Sequence, residues 1–530
     1  MSSSVTSPAE LSHPIIGPVR GRRVGNVLQF LGVKYASLDH WLGNPRLCTY
    51  DGSGIDAQRH GPQAISDPSG VDQEMAAIQK TLPKPDFPGM SATDCLSLNI
   101  SIPEEAHHSA TLPVFVYIHG GGFTVGSNWW PQYDMGRIVQ LSTELGQPIV
   151  AININYRLGA AGFLVSEELN QAGYETNRGL RDQQVALQWI NMHIRGFGGD
   201  PERVTVCGES AGGLSVTRLL YADEALISRV VVLGGAPPLI SPLSRSVAEA
   251  NYEAVVEALG YGDLSSTERI KALQRTSIAD LQRNLNPGLP FLPVLDEALV
   301  PYNETFSFMQ SKDYLFKAKS CEAAMIVFSP LDASIFAFMG LFSERQAIAS
   351  AFTDWVYSSL HDHGGVAARL LQCYGITPDL DDQAALLCLL QFGSDIGHQA
   401  AARALAASFP GDAFVMEFAE PNPWEGPFKG YTTHILDIAF LLQNFNDSLD
   451  ETQRTAAKQF AKDVIGFSHG QKPWEPFSAT RGVSKLKGGR QQYLDGEEAV
   501  TGRFKELLDI GHVLGLDTLL GLWVGFLFGG

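Results

Sequence analysis

Short apolar runs rich in β-branched and aromatic residues recur along the chain, and this pattern predicts buried β-strands. The runs lie at residues 114–118, 149–155, 204–207, 230–233, 325–328 and 414–418. Longer segments with helical periodicity, such as residues 182–194, separate several of them. This alternation predicts an α/β fold with a mostly parallel central sheet flanked by helices on both faces. In such a sheet, functional side chains lie on loops at the carboxyl ends of the strands.

Composition favours one large domain. The chain has 530 residues, of which 45% are hydrophobic and 18% charged, so it can bury a large core. No Pro/Gly/Ser-rich linker, low-complexity tract or internal repeat marks a boundary in the sequence. We therefore expect a single catalytic domain over residues 1–530, with residues 1–13 as a flexible N-terminal extension.

Charge and terminal segments restrict the partners. The net charge of −19 disfavours nucleic acid and anionic membrane surfaces, which select clustered Lys and Arg. Residues 1–24 lack the apolar segment of a secretory signal, so we expect an intracellular, cytoplasmic protein. The apolar run at 519–528 is shorter than the roughly 20 residues of a membrane span, which favours a helix docked on the core. Oligomeric state stays open.

The six cysteines show neither CxxC spacing nor a Cys/His cluster, so the sequence predicts no metal site. No cofactor is expected either. A small molecule is then the expected partner.

A candidate nucleophile follows the strand at 204–207. Gly208 and Gly212 flank Ser210 at two residues on either side, and a helical segment follows at 214–221. A strand, a sharp turn and a helix are the setting of a nucleophile elbow, in which small neighbours let the serine occupy a strained, exposed turn. The pentapeptide alone is a weak signal in a chain with 53 glycines, and its placement carries the prediction.

Three glycines follow the strand at 114–118, directly after His119. Without Cβ atoms they can turn their backbone N–H groups toward one point, as an oxyanion hole requires. We predict Gly121, Gly122 and Ala211 as the donors. His119 is expected to support this loop rather than to transfer protons.

A serine nucleophile needs a base and a carboxylate that orients the base. In folds with a nucleophile elbow the acid and then the histidine follow the serine along the chain. Six histidines follow Ser210, namely His361, His363, His398, His434, His469 and His512. Of these, His434 follows a clear strand through a loop and precedes an apolar helix. It is the predicted base.

For the acid, Asp332 follows the strand at 325–328 and precedes an apolar helix. An N-cap of that helix is the alternative role for this residue. Glu322 and Asp296 are weaker candidates, because the first begins the strand and the second precedes another element.

Four blocks in this order carry a family resemblance. They lie at residues 93–100, 119–123, 177–201 and 208–213. Together with flanking matches from residues 32–36 to 472–474, they resemble the type-B carboxylesterase and cholinesterase family. The resemblance implies the α/β-hydrolase fold, with Ser210 as the nucleophile and His434, followed by Asp437, in the histidine motif.

The chain departs from the family pattern at two places. Asp332 occupies the position where the family usually has glutamate, which shortens the acid by one methylene. Cys95 matches a family disulfide cysteine, yet residues 60–64 hold no partner, which agrees with an intracellular chain. Residues 291–296 resemble the acyl-pocket strand, so Phe291 and Trp129, which follows the oxyanion loop, are candidate substrate-binding residues. Ordinary core packing fits both equally well.

The sequence thus predicts a cofactor-independent carboxylic ester hydrolase with a Ser210–His434–Asp332 triad and a covalent acyl-enzyme. An acyltransferase, lactonase or cyclase with the same triad is the alternative. A non-catalytic adhesion or scaffold homologue is disfavoured, because both Ser210 and His434 are present. The substrate is not specified by the sequence.

Overall fold

A β-sheet with thirteen strands in the described part of the chain forms the centre of the protein. The structure is a computed structural model that describes residues 6–106, 110–284 and 288–529. Its strands, including a separate short pair formed by β4 and β5, are β1 Thr6–His13, β2 Gly17–Val24, β3 Val27–Lys34, β4 Ala36–Ser37, β5 Arg46–Leu47, β6 Ile55–Asp56, β7 Ser97–Pro103, β8 Leu112–Ile118, β9 Val150–Ile154, β10 Gly199–Glu209, β11 Arg229–Leu233, β12 Ala323–Phe328, β13 Asp412–Phe418, β14 Val483–Lys487 and β15 Arg490–Leu494.

The spatial order of the strands is β1-β2-β3-β7-β9-β8-β10-β11-β12-β13-β14-β15, with β6 beside β2. All neighbours from β9 to β14 pair in parallel, whereas the strands outside them pair antiparallel except for β6. The carboxyl ends of β8, β10, β11, β12 and β13 therefore meet along one edge of the sheet.

Helices cover both faces of the sheet. Their bounds are α1 Gly70–Ile78, α2 Gly136–Glu144, α3 Gly159–Phe163, α4 Glu167–Gln171, α5 Arg178–His193, α6 Ala211–Leu219, α7 Arg245–Ala258, α8 Ser266–Arg275, α9 Ile278–Asn284, α10 Phe306–Met309, α11 Ser334–Phe338, α12 Ile348–Ser359, α13 Gly364–Tyr374, α14 Asp382–Ser394, α15 Ala400–Ser408, α16 Leu436–Leu441, α17 Glu451–Ser468, α18 Phe477–Thr480, α19 Gly502–Leu514 and α20 Leu516–Phe528. A π-helical turn, Asp395–Gln399, joins α14 to α15.

The central strands are buried on both faces. In β8, Val116 and Ile118 belong to one apolar cluster, while Phe115 and Tyr117 point into another on the opposite face. Strands covered on both sides by helices are apolar at nearly every position, which is why these runs were recognisable in the sequence. All six predicted strands are present, and the prediction of a mostly parallel sheet between helices is confirmed.

The N-terminal segment corrects one prediction. Residues 6–13 do not form a flexible extension, because they form β1, which pairs with β2 along its whole length. His13 at the end of β1 is buried, and its Nε2 lies 2.8 Å from the backbone carbonyl of His193. These contacts fix the segment to the domain. Residues 1–5 lie outside the described part of the chain.

The last helix, α20, packs on the core through Trp523, whose ring meets those of Phe336 and Phe392. Within the described residues, no helix is on its own long and apolar enough to cross a membrane. Of the described helices, only α19 and α20 taken together reach that length, and they are bent by 105°. All six cysteines are free.

Candidate active site

Ser210 occupies a strained turn between β10 and α6. Its φ of 56° and ψ of −123° are unusual for a residue with a side chain. The Ser210 N–H donates to the Leu233 carbonyl at 2.8 Å, and the Ser210 carbonyl accepts from the Leu214 N–H at 3.0 Å. Ser210 itself is partly exposed, whereas its neighbours along the chain are buried. The turn thus presents one serine at the carboxyl end of the central strand.

The glycine loop after β8 lies directly against this turn. A Cβ on Gly120 would stand 2.9 Å from Ser210 Cβ, so only glycine permits this approach. Within the described residues, the N–H groups of Gly121, Gly122 and Ala211 donate to no protein acceptor. Three free N–H groups beside a serine can hold a developing oxyanion.

The ring of His119 supports this loop. Its Nδ1 lies 3.1 Å from the Gly120 carbonyl, and the ring stacks on Tyr156 at 4.6 Å. Burial lowers the pKa of His119 to about 4, although the Gly120 carbonyl opposes this shift. These contacts place His119 in the supporting position that the sequence analysis expected.

Asp332 and His434 meet at the same edge of the sheet. Asp332 follows β12, His434 lies between β13 and α16, and Nδ1 of His434 is 2.9 Å from Asp332 Oδ1. Both side chains are almost fully buried. The Ser334 hydroxyl accepts from the His434 N–H at 3.1 Å, and a Cβ on Gly234, after β11, would lie 2.9 Å from His434 Cε1.

The other roles considered for the acid are not observed. The second oxygen of Asp332 accepts from the N–H of Ser329 at 2.7 Å, so the carboxylate caps its own loop rather than helix α11. Asp296 accepts hydrogen bonds from Asn177 and nearby backbone N–H groups. Glu322 is exposed and pairs with Arg229 at 2.8 Å. Neither of these two acids contacts His434.

Glu209, the residue before Ser210, also contacts His434 and was not predicted from the sequence. Its Oε1 lies 3.1 Å from His434 Nε2, and both side chains are buried. Nε2 has no hydrogen-bond partner of acceptable geometry within the described residues, and this includes the Ser210 hydroxyl. Hydrogen bonds between catalytic groups are often long without substrate and shorten in the complex. The presence of Glu209 within the serine motif was the available signal.

Carboxyl groups on both sides shift the pKa of His434. Burial lowers this pKa, but Glu209 and Asp332 raise it more, to about 9. Burial also raises the pKa of Glu209 well above its usual value. Burial raises the pKa of Asp437 and that of Glu74 to about 7. The pKa of His434 therefore depends on the carboxyl groups of both Glu209 and Asp332.

This arrangement predicts a pH effect. Because a base must be neutral to accept a proton, a raised pKa of His434 moves the acid limb of the kcat/KM profile to higher pH. Glu209→Gln removes one charge that favours the imidazolium, so the limb should move down by about one pH unit or more. The measurement is kcat/KM between pH 5 and 10, a range of about five units that brackets the raised pKa. Glu420→Gln, a buried acid bonded to Gly489, should leave the limb in place. An unchanged limb in Glu209→Gln would contradict the coupling.

Asp332, His398 and His434 offer three donor atoms within 4.8 Å of one another, close enough to hold a transition metal. A metal at this point would need the Nδ1 lone pair of His434. The structure instead places Nδ1 in a hydrogen bond with Asp332. Asp332 and His434 are accordingly joined by a hydrogen bond with His398 Nδ1 3.6 Å from Asp332 Oδ2, and His398 was not selected from the sequence.

The contacts of the two candidate substrate-binding residues are structural ones. Trp129 donates from Nε1 to Gln63 at 2.7 Å and lines a cavity of about 240 Å³ that does not include Ser210 or His434. Phe291 is buried in the large apolar cluster. A substrate role for either residue stays a prediction.

Comparison with known proteins gives a consistent result. The sequence profile described as the carboxylesterase family matches residues 7–481. The probable N-octanoylanthranilate hydrolase AqdA2 of Rhodococcus erythropolis is 33% identical over 307 residues, which is 57% of this chain and 62% of that protein. The para-nitrobenzyl esterase of Bacillus subtilis (strain 168) is 34% identical over 218 residues, covering 39% of this chain and 42% of the esterase. Lipase 1 of Geotrichum candidum is 45% identical over 152 residues, or 27% of this chain and 26% of the lipase.

These matches span less than two thirds of each relative. Solved structures extend the likeness to nearly the full chain. A PNB esterase superposes with a TM-score of 0.70 at 21% identity over 95% of this chain and 100% of its own. A thermophilic PNB esterase superposes with a TM-score of 0.73 at 21% identity over 94% of this chain and 100% of its own. At this level of identity the likeness establishes the fold, which is the α/β-hydrolase fold.

Proposed function

Because the chain belongs to the carboxylesterase family, we propose that it hydrolyses carboxylic esters through Ser210, His434 and Asp332. The observation that carries this proposal is the 2.9 Å contact between Asp332 and His434, at the sheet edge where the elbow presents Ser210. An acid, an imidazole and a strained serine at one edge are the parts that acyl transfer to serine requires.

The reaction follows from the roles of these atoms. The Ser210 hydroxyl oxygen attacks the ester carbonyl carbon while His434 Nε2 takes the hydroxyl proton, and Asp332 stabilises the imidazolium through Nδ1–H. The carbonyl oxygen becomes an oxyanion that accepts from the N–H groups of Gly121, Gly122 and Ala211. The bond to the alcohol oxygen then breaks, and Nε2 returns the proton to the leaving alcohol.

The acyl group now sits on Ser210 and must be released. A water molecule gives a proton to His434 Nε2 and attacks the acyl carbon. The Ser210 oxygen leaves and recovers the proton, which frees a carboxylic acid and restores the protein. The residues present are sufficient for each step, so the proposal includes no metal or cofactor.

An acyltransferase, lactonase or cyclase would share the first half of this cycle and differ only in the group that accepts the acyl chain. The proposed hydrolysis predicts that acid released in ¹⁸O-labelled water carries one labelled oxygen, because the attacking atom comes from water. Mass spectrometry of the product measures this. An unlabelled acid, or an acyl group recovered on an added alcohol, would instead support transfer.

The substrate panel should follow the relatives. Para-nitrophenyl esters graded by acyl length, a para-nitrobenzyl ester and N-octanoylanthranilate cover the classes in their names. We propose that the substrate is a small molecule and that the protein acts inside the cell, where cysteines stay reduced; the six free cysteines support this.

A further inference from the structure

A second histidine contacts the acid of the proposed triad. His398 Nδ1 lies 3.6 Å from Asp332 Oδ2, whereas His434 Nδ1 contacts the other oxygen, Oδ1. The two imidazole rings are 5.7 Å apart between centroids and inclined by 66°. The side chains of His398 and Asp332 are each only 1% exposed. Asp332 thus lies beside two buried imidazoles, although the mechanism uses only one of them.

We propose that His398 is a positioning residue, which holds Oδ2 of Asp332 so that Oδ1 faces His434. This inference rests on the proposed ester hydrolysis and concerns how the acid of the triad is oriented. His398 does not touch the reacting atoms, and it acts on the base only through Asp332.

A buried carboxylate such as that of Asp332 needs several hydrogen-bond donors. An ionised carboxylate has about four acceptor sites, and burial without donors is costly. Asp332 receives one hydrogen bond from His434 and one from the Ser329 N–H. The ring of His398 lies beside it, with Nδ1 3.6 Å from Asp332 Oδ2, and neither of its nitrogens has a hydrogen-bond partner of acceptable geometry within the described residues.

The carboxylate of Asp332 must also be held against rotation. The terminal torsion of an aspartate is broad and roughly two-fold, so the side chain alone does not fix which oxygen faces His434. Oδ2 accepts the Ser329 N–H at 2.7 Å, and Nδ1 of His398 lies 3.6 Å from the same oxygen. Contacts on Oδ2 from two directions restrict this torsion, and they align Oδ1 with the Nδ1–H of His434.

The charge of the His398 ring also suits this position. Burial lowers the pKa of His398 to about 4, despite the opposing effect of Asp332, so the ring is neutral at neutral pH. A neutral imidazole can present an N–H to the carboxylate without adding a cation. A cation here would oppose the imidazolium that forms on His434 during the reaction. The charged or titratable groups facing this ring are Asp332 and His434, and the backbone of Gly234 also faces it.

The ring of His398 has rigid support from the turn that carries it. His398 belongs to the π-helical turn Asp395–Gln399, a local irregularity that is frequent at functional sites. Asp395 at the start of the turn accepts from Arg503 Nε at 2.7 Å and from the Tyr374 hydroxyl at 2.9 Å. These bonds anchor the turn from its outer side. The ring is thereby held against Asp332 by the backbone.

Three substitutions test whether the effect of His398 comes from the nitrogen that faces Asp332 or from the volume of its ring. His398→Asn retains a polar group near Nδ1, His398→Gln places it near Nε2, and His398→Phe retains only the ring. We expect kcat to fall by about 10- to 100-fold in the Phe and Gln variants, because small losses of alignment have effects of this size. The Asn variant should stay within about threefold of the unsubstituted protein, and KM should change little in all three.

The rate at which a fluorophosphonate modifies Ser210 is a second measure of how well His434 acts as the base, because this step needs the same base. It should fall in parallel with kcat. In an Asp332→Asn background, adding His398→Phe should cost less than about threefold more, since two residues that act through one contact are not additive. Circular dichroism and thermal unfolding show that each variant is folded.

The matched control is His193→Phe. His193 is also buried, also has two unpartnered ring nitrogens, and has a pKa lowered to about 4, but it packs on Trp189 and Tyr50. The kcat of His193→Phe should not change.

The proposal is overturned if folded His398→Phe and His398→Gln variants keep normal kcat and labelling, or if His398→Asn is as slow as His398→Gln. If the Phe variant does not fold, the Asn and Gln pair decides alone. Failure of the proposed function is distinct, because the unsubstituted protein would then hydrolyse no ester in a way that depends on Ser210.

Discussion

Ser210→Ala should lower kcat by about 10⁵-fold on every ester that the protein hydrolyses, while KM stays nearly unchanged. The serine hydroxyl is the atom that becomes acylated, and alanine provides no replacement nucleophile. The turn itself is formed by backbone hydrogen bonds to Leu233 and Leu214, so the substitution leaves these bonds in place. A steady-state assay with a para-nitrophenyl ester measures the loss, and mass spectrometry should show that the variant is no longer acylated.

Ser358→Ala is the matched control for this experiment. Ser358 is exposed on α12, and its hydroxyl donates only to a carbonyl of the preceding turn. Its activity should equal that of the unsubstituted protein. If Ser210→Ala retained more than about one tenth of kcat, another group would be the nucleophile, since loss of a triad serine costs far more than tenfold.

The residual activity of Ser210→Ala is informative about the glycine loop. The three N–H groups of Gly121, Gly122 and Ala211 belong to the backbone and remain after the serine is removed. Such donors stabilise a tetrahedral intermediate formed by water as well as one formed by serine. A small rate above the uncatalysed reaction is thus expected even without the nucleophile, and it should need the folded protein.

The central sheet was predictable because its strands are buried on both faces. Each is a continuous apolar run, and such runs are recognisable without any partner strand. Strands β1 and β2 were missed for the opposite reason. They form the margin of the sheet, and β2 contains Pro18, Arg20, Arg22 and Arg23 with only two buried positions. At a sheet margin, pairing between backbones forms the strand with little apolar patterning.

The site shows the same division. Ser210, Asp332 and His434 were found because each follows a strand, and strand ends converge at one edge of a parallel sheet. His398 lies on a π-helical turn between two helices, so nothing in its local sequence relates it to that edge. Glu209 is adjacent to Ser210, but the direction of its side chain toward His434 depends on the strained turn. Contacts made by helix packing or by a strained backbone need the folded chain to be recognised.

Asp332→Asn should lower kcat by about 10⁴-fold, the second largest effect expected, with little change in KM. The geometry explains why so small a change is damaging. The Ser329 N–H lies 2.7 Å from Oδ2, so it selects the amide oxygen of asparagine for that position. The amide NH₂ then faces His434 Nδ1 and donates to it. This places the ring proton on Nε2, where it blocks the lone pair that must accept the serine proton.

The neutral amide also fails to stabilise the imidazolium that forms on His434, so tautomer and charge act in the same direction. Glu322→Gln removes the other carboxylate beside β12, which is exposed and paired with Arg229, and should have no effect on kcat. The rate of fluorophosphonate labelling should fall with kcat in Asp332→Asn alone. If Asp332→Asn kept more than about one tenth of kcat, or if Glu322→Gln lost as much activity, another carboxylate would have to orient His434. A loss of kcat in Asp332→Asn alone would show that the base depends on the acid that it contacts at 2.9 Å.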